Sequence, residues 1–346
     1  MCTPEFLEKL DLIGRRVRHT DKPFGGIQLV LAGDFCQLPP VIRGPSGEDT
    51  TRFLFEMPLW ASLIHETHYL TRMLRQSDPV FQKILREARL GRLSDESLSA
   101  LESRMGLNWQ DNEIRPTLLF TRNAEVDRVN RVNMEALEGE RRTFDAETTE
   151  VASERRLISP SDPAVAAALE RLDTDAPYEK RLELCIGAQV MLLVNMSAEK
   201  CAVLDGPPLV NGSRGVVVGY SAATGLPIVK FRDHRMPITV DRATWWLPDY
   251  DGIGRTQIPL RVAYALTIHK SQGATLDSAL VDIGASTFEY GQAYVALSRV
   301  RSLEGLYIWK LDARKIRCHP AVIAFYEALS PTLPDNPVAA TSDDPV

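Results

Sequence analysis

The chain has 346 residues, 44% hydrophobic and 25% charged, which allows two or three compact domains and excludes a disulfide-stapled miniprotein, a fibrous chain or a disordered one. No apolar run reaches the ~18 residues of a membrane-spanning helix, and Met1 to Leu10 has neither the basic start nor the apolar core of a signal peptide, so a soluble, intracellular chain with no membrane partner is expected. A net charge of −6 excludes bulk coating of nucleic acid, although 40 Lys and Arg residues leave room for a local basic track.

The first predicted element is IQLVLA (27–32). It is apolar, rich in β-branched residues and ends at Gly33-Asp34, the pattern of a buried parallel strand with a loop at its carboxyl edge. Ligands bind at that edge in open α/β sheets. A polar loop from Arg43 to Thr51 leads to a helical pattern from Phe53 to Ile64 and a strand-like HYL at 68–70. Amphipathic helices are predicted over 78–90 and 94–105, each opened by a residue able to cap N–H groups, Asp78 and Ser94. Strand 117–121 and a helix from Asn123 to about Leu137 repeat the strand-loop-helix order, hence a second α/β unit. Residues 138–180 read as an exposed, charged connection with partial helix at 164–172. From Cys185 to Leu247 short β-rich runs alternate with Gly and Pro, which suggests a small inserted β-barrel. Strand 277–283, a helix around 290–300, strand 306–310 and a helix over 320–329 restore α/β order before a mobile Pro/Asp/Ala tail.

The five cysteines (Cys2, Cys36, Cys185, Cys201, Cys318) are odd in number, scattered and without a CxxC, so neither a disulfide framework nor a zinc site is expected. Three other stretches invite chemistry. In LAGDFCQLPPV (31–41) the strand delivers Asp34 and Gln37 to a sheet edge, although Gly-Asp and Pro-Pro are also ordinary loop punctuation. In ALTIHKSQGATLD (265–277) hydroxyls, a Lys, an amide and a Gly crowd a strand end and offer donors to an anion; alone, HKSQG also reads as a capped turn. YGQAYVALSRV (290–300) places Gln292, Tyr294 and Arg299 on a short helix, where a lone Arg would be a solvated charge. Trp245 and Trp246 offer either a base-stacking platform or a pair with one ring in the core.

Taken together and in this order, these stretches resemble the Pif-type helicases of superfamily one, relatives of RecD that move 5′→3′ on single-stranded DNA. GDFCQLPPV resembles the third helicase motif, LTRMLRQSD (70–78) the fourth, TIHKSQG the fifth and YVALSR the sixth, and GAQVMLLVN with LVNGSRGVV resembles the segment carrying the family's SH3-like barrel. The implied fold is α/β and RecA-like, of the P-loop NTPase helicase type. Its expected parts are a truncated first RecA-like domain (1–110), a second RecA-like domain in two segments (111–184 and 256–330), the inserted SH3-like barrel (185–255) and a tail (331–346).

The resemblance also implies roles. Gln37 would sense the γ-phosphate of ATP and Asp34 would order its loop. Arg75 and Arg299 would be arginine fingers stabilising charge on the transferred phosphoryl group, with a helix-start ion pair as the alternative for Arg75. Gln272 and Gly273 would lie beside the nucleotide. Thr267, His269, Lys270 and Ser271 would face the backbone of single-stranded DNA, with a hydrogen-bonded loop histidine as the alternative for His269. Family members also need GxxxxGK[ST] and an acidic pair for Mg²⁺, and neither precedes position 27. The expectation is therefore an N-terminally truncated helicase, negligibly active alone and monomeric. The alternatives are a non-hydrolysing DNA- or partner-binding remnant and half of a split enzyme completed by another polypeptide; no protein metal site is expected.

Overall fold

The computed structural model describes residues 2–40, 53–109, 114–152, 159, 161–196, 208–232 and 234–329. The loop expected over 43–51 and the tail expected over 331–346 lie outside them. Helix α1 (Pro4–Arg18) starts at Thr3, whose hydroxyl accepts from Phe6 N at 3.3 Å, with Pro4 where no N–H is needed. Its buried Asp11 accepts from Phe24 N at 2.6 Å and from Arg15 Nε at 2.8 Å, which folds the following turn back onto the helix.

The expected strands at 27–32 and 68–70 are not formed. Val30 is 87% and Leu70 90% exposed. A buried parallel strand needs neighbours to pair its N–H and C=O groups, and among the described residues no strand lies beside either run. The helix expected over 53–64 is interrupted: a 3₁₀ turn (Leu54–Glu56) is separated from α2 (Trp60–Leu63) by Pro58, which holds Met57 extended at φ −78°, ψ 142°. Helix α3 (Pro79–Leu90) is capped by Asp78, whose carboxylate accepts from Val80 N at 2.9 Å, and ends at Gly91 with φ 68°. It buries Phe81, Ile84, Leu85 and Ala88, and α4 (Asp95–Glu102) follows from its Ser94 cap.

Strand β1 (Thr117–Phe120) and α5 (Asn123–Glu135) come next, then β2 (Arg141–Asp145), β3 (Glu147–Glu150) and α6 (Pro163–Asp175). Residues 138–180 thus hold two strands besides the expected helix. Their partners come from outside the segment, β4 (Arg181–Cys185) for β2 and β10 (Ile253–Gln257) for β3, so a local pattern does not reveal them. The β-rich region supplies β5 (Gln189–Leu192), β6 (Arg214–Tyr220), β7 (Pro227–Phe231), β8 (Ile238–Thr239) and β9 (Ala243–Trp246). After β10 come β11 (Leu260–Val262), β12 (Ala265–Thr267), β13 (Ala279–Ile283), α7 (Gln292–Leu297), β14 (Leu306–Leu311) and α8 (Pro320–Leu329).

The chain divides into two compact units, Met1–Ser103 with Ile283–Ser298 and Lys310–Val346, and Arg104–Asp282 with Arg299–Trp309. The first is helical around an aromatic core in which Phe35 contacts Phe53, Phe55, Trp60 and Phe325. The second is built on a sheet of order β12-β1-β13-β14, with β1 parallel to β12 and β13. Beside it within the same unit lies an antiparallel five-stranded sheet of order β11-β5-β6-β7-β8, with the three-stranded β3-β10-β9 and the β2-β4 pair completing the β structure. One buried polar knot ties the two larger sheets. Arg214 of β6, with a fully buried side chain, pairs with Asp277 through two bonds of 2.6 and 2.8 Å and donates to Arg115 O, Thr117 Oγ1 and Ser278 Oγ.

Candidate functional site

In the first unit the loop after residue 33 is closed by Asp34. Its carboxylate accepts from Cys36 N at 3.0 Å, and its carbonyl accepts from Gln37 N at 3.2 Å. Such an Asx turn fixes the loop by local bonds alone, so it forms although the preceding run is not a strand. The same carboxylate pairs with Arg89 of α3 at 2.9 and 3.2 Å and accepts from Tyr326 at 3.3 Å. Arg89 lies between the rings of Tyr69 and Tyr326, 5.3 and 4.5 Å from their centroids. Burial opposes its charge, but the Asp34 carboxylate outweighs this and holds the guanidinium pKa above its ordinary value. Burial and the same carboxylate push the Tyr326 phenol up. Asp34 thus orders its loop.

Motif segments four and six meet in this unit. Arg75 Nη1 and Gln76 Nε2 donate to Ser298 O at 3.1 and 3.2 Å, and α3 packs on α7. Arg75 is an exposed residue whose bond to Ser298 O is part-buried. Burial draws its pKa below the ordinary guanidinium value, and the neighbouring Tyr294 hydroxyl opposes this. Gly291, at the start of α7 with φ 72°, closes on the loop: a methyl group there would lie 2.4 Å from Cys36 O and 2.7 Å from Gln37 O. Gln37, Arg75 and the α7 start therefore share one unit.

In the second unit the turn after Thr267 lies at the carboxyl end of β12, beside β1. Asn130 of α5 clamps this strand, donating to Ala265 O at 3.1 Å and accepting from Ala265 N at 2.9 Å. The turn that follows is built from inside: Thr267 Oγ1 accepts from Lys270 N at 3.2 Å, Ser271 N donates to Thr267 O at 2.9 Å and Ser271 Oγ donates to Ile268 O at 2.8 Å. Thr267 and Ser271 are 4% and 0% exposed. Their hydroxyls are buried in the turn. His269 and Gln272 are half-buried, Lys270 and Gly273 exposed, and Gly273 has φ 86° with open space where a methyl would stand. The charge of Lys270 reaches Glu179, whose carboxyl burial pushes up while Arg261 and Lys270 pull it down. Arg299 is 3% exposed. Trp245 is half-buried and packs on Tyr178 with centroids 4.7 Å apart, and Trp246 is 49% exposed.

Arg89, Gln76, Gly291, Asn130 and Arg214 were not singled out in the sequence. Arg89 left a signal: it falls in register with Phe81 and Leu85 on the apolar stripe of α3, where a cation needs a buried partner. Among the described residues no group of three or more His, Cys, Asp or Glu gathers as a metal site, and no helix is long and apolar enough to cross a membrane.

A mixed α/β unit on a parallel sheet, with a donor-rich loop at the carboxyl end of β12, defines the RecA-like helicase class of fold. Residues 1–97 match the model described as PIF1-like helicase, and residues 168–220 match the DNA helicase Pif1 2B domain. The chain is 38% identical over 352 residues to the "ATP-dependent DNA helicase PIF1" of Homo sapiens, covering 99% of this chain and 51% of that protein. A crystal structure of Pif1 helicase from Candida albicans superposes with a TM-score of 0.68 at 32% identity, covering 95% of this chain and 75% of that one. A Bacteroides Pif1 bound to ssDNA gives a TM-score of 0.60 at 29% identity over 96% of this chain and 74% of that one. The chain belongs to the PIF1-like helicase family. It spans about half the length of the curated relatives it matches.

Proposed function

We propose that the chain is part of an ATP-dependent 5′→3′ DNA helicase acting in genome maintenance, and that its two units carry the phosphoryl-transfer arginines and part of the DNA track. The observation that carries this reading is the likeness over nearly the whole chain to a protein named ATP-dependent DNA helicase PIF1. One structural relative bound to ssDNA and another in complex with ADP-AlF4 support it.

The donor set suits a phosphate better than a metal. Arg75 presents a partly enclosed cation whose pKa burial draws down, which an anion would relieve, and Gln37 sits on a loop fixed by Asp34 and Gly291. ATP, when bound, supplies the phosphoanhydride whose cleavage drives movement. The described residues offer no carboxylate cluster for Mg²⁺, and no step is assigned to that ion. In this reading Gln37 orients toward the terminal phosphate, and Arg75 and Arg299 stabilise its developing charge. Gln272 and Gly273 border the nucleotide. Lys270 and His269 touch DNA phosphates, while Thr267 and Ser271 shape the turn that presents them. Strands β5 to β8 of the five-stranded sheet fall within the SH3-like insertion at 185–255.

The test is binding of a fluorescein-labelled oligothymidine by the purified chain, followed by anisotropy across a salt series, with phosphate release measured in parallel. Salt-sensitive binding with negligible turnover is expected, because the sequence contains no GxxxxGK[ST]. Absence of DNA binding by the folded chain overturns the DNA-track assignment. Robust turnover overturns the placing of the nucleotide.

A further inference from the structure

Cys36 and Cys318, far apart in sequence, meet inside the first unit. They share a core cluster with Phe53 and Val322 and are 1% and 7% exposed. Backbone contacts fix both segments. Gly291 N donates to Arg317 O at 3.0 Å on one side, while on the other a methyl at Gly291 would meet Cys36 O at 2.4 Å. A methyl on Gly91 would stand 3.0 Å from Cys318 N, so the end of α3 closes the pocket from a third direction. The Arg89 guanidinium, paired with Asp34, acts on both sulfurs.

We propose that Cys36 and Cys318 form a peroxide-responsive thiol pair that closes to a reversible disulfide against the loop carrying Asp34 and Gln37. This inference is independent of helicase activity. It rests on two thiols held together by packed backbone on several sides, next to a buried cation.

The surroundings assign the order of events. Cys318 is the less buried of the two thiols, and its pKa lies below the ordinary thiol value through its interaction with Cys36, with Arg89 assisting, while that interaction and burial push Cys36 up. The Cys318 thiolate attacks one oxygen of hydrogen peroxide, the S–O bond forms, the O–O bond breaks and hydroxide leaves, giving a sulfenic acid. That hydroxide takes the Cys36 proton and becomes water. The Cys36 thiolate attacks the Cys318 sulfur, the S–S bond forms and the S–O bond breaks. The second hydroxide takes up the proton that Cys318 gave when it ionised. Both thiols are oxidised and one peroxide is reduced to two waters. A small oxidant suits a pair this buried, and a larger one such as oxidised glutathione would have to reach a sulfur in the core.

The experiment is mild peroxide treatment of the folded chain, alkylation of the remaining thiols after denaturation, and peptide mapping with and without dithiothreitol. The expected product has lost two hydrogens. The Cys36 and Cys318 peptides leave the alkylated pool together and appear as one cross-linked pair that dithiothreitol restores, while Cys185, whose thiol donates to Gly139 O, stays alkylated. In Cys36→Ser the reaction should halt at a sulfenic acid on Cys318 that dimedone captures; the wild-type map decides the matter whether or not that variant folds. Cys36 remaining fully alkylatable overturns the proposal, as does oxidation of Cys318 to sulfinic acid without the cross-link or pairing of either cysteine with Cys2 or Cys201 instead.

Discussion

Gly291→Ala tests whether the loop of Asp34 and Gln37 is held by close backbone approach at the start of α7. Gly291 has φ 72°, and a methyl there would lie 2.4 Å from Cys36 O, 2.7 Å from Gln37 O and 2.8 Å from Gln37 C. All three are backbone atoms of a loop already fixed by the Asp34 turn and the Arg89 pair, so none can yield as a flexible side chain would. The left-handed conformation alone costs an alanine about 1–2 kcal/mol, and forcing a methyl into packed backbone adds about 1–3 kcal/mol, for a total of about 2–5 kcal/mol. Gly26 provides the control in the same unit: its φ is 76°, but the nearest atom to an added methyl is the Lys22 side chain at 3.6 Å. Gly26→Ala should therefore cost only the conformational part, about 1–2 kcal/mol. The assay is urea denaturation of both variants, with amide hydrogen exchange at Cys36 and Gln37 to localise the effect; exchange there should accelerate in Gly291→Ala and not in Gly26→Ala. Equal losses in the two variants would refute the close-approach argument, because the shared backbone cost would then be the whole effect.

The Asp277 carboxyl is held at about 2, down from 3.8, because the Arg214 and Arg232 bonds outweigh its burial; stability from this group is complete above the unfolded value of ~3.9 and is lost as pH falls through about 2, a contribution of about 2 kcal/mol. Asp277→Asn should therefore make stability fall less steeply between pH 4 and 2, by up to about 1.4 kcal/mol per pH unit, when urea unfolding is followed at stepped pH, and an unchanged slope would remove the Arg214 and Arg232 account. In any ATP-hydrolysing assembly that contains this chain, Arg75→Ala should lower kcat by ~10³-fold with DNA affinity in the absence of nucleotide unchanged; loss of DNA binding with turnover intact would show that the assignment is wrong. Lys270→Ala should flatten the log–log salt dependence of oligothymidine binding by about 0.7 and weaken all sequences alike, and no change in a folded variant would leave Lys270 outside the DNA track.

Elements whose signal is local were legible in the sequence. Helix α3 has its Asp78 cap, its apolar stripe and Gly91, and β1 followed by α5 has the strand-loop-helix order, so both form where their residues place them. Residues 27–32 have an equally strong local strand pattern and form no strand, because pairing belongs to neighbours and not to the run itself. The strands β2 and β3 failed in the opposite direction. Their sequences, RRTFD and ETTE, look like a charged connection, and only pairing with β4 and β10 makes them strands.

The same division runs through the candidate site. Asp34, Gln37, Arg75, Lys270 and Arg299 could be named because each belongs to a motif read along the chain. What secures them is distant in sequence and largely unmarked there: Arg89 and Tyr326 on Asp34, Gly291 against Gln37, Gln76 on Ser298 and Asn130 on Ala265. Motif membership also hides a difference in work. Thr267 and Lys270 stand three residues apart in one predicted DNA-facing stretch, yet the Thr267 hydroxyl accepts the Lys270 amide and is buried, while the Lys270 side chain is exposed. Thr267→Val should consequently impair Lys270 through the loss of one turn bond, whereas Lys270→Ala removes a charge directly. Restoring the hydroxyl with Thr267→Ser separates the two roles, because it rebuilds the turn without adding any group that reaches a phosphate.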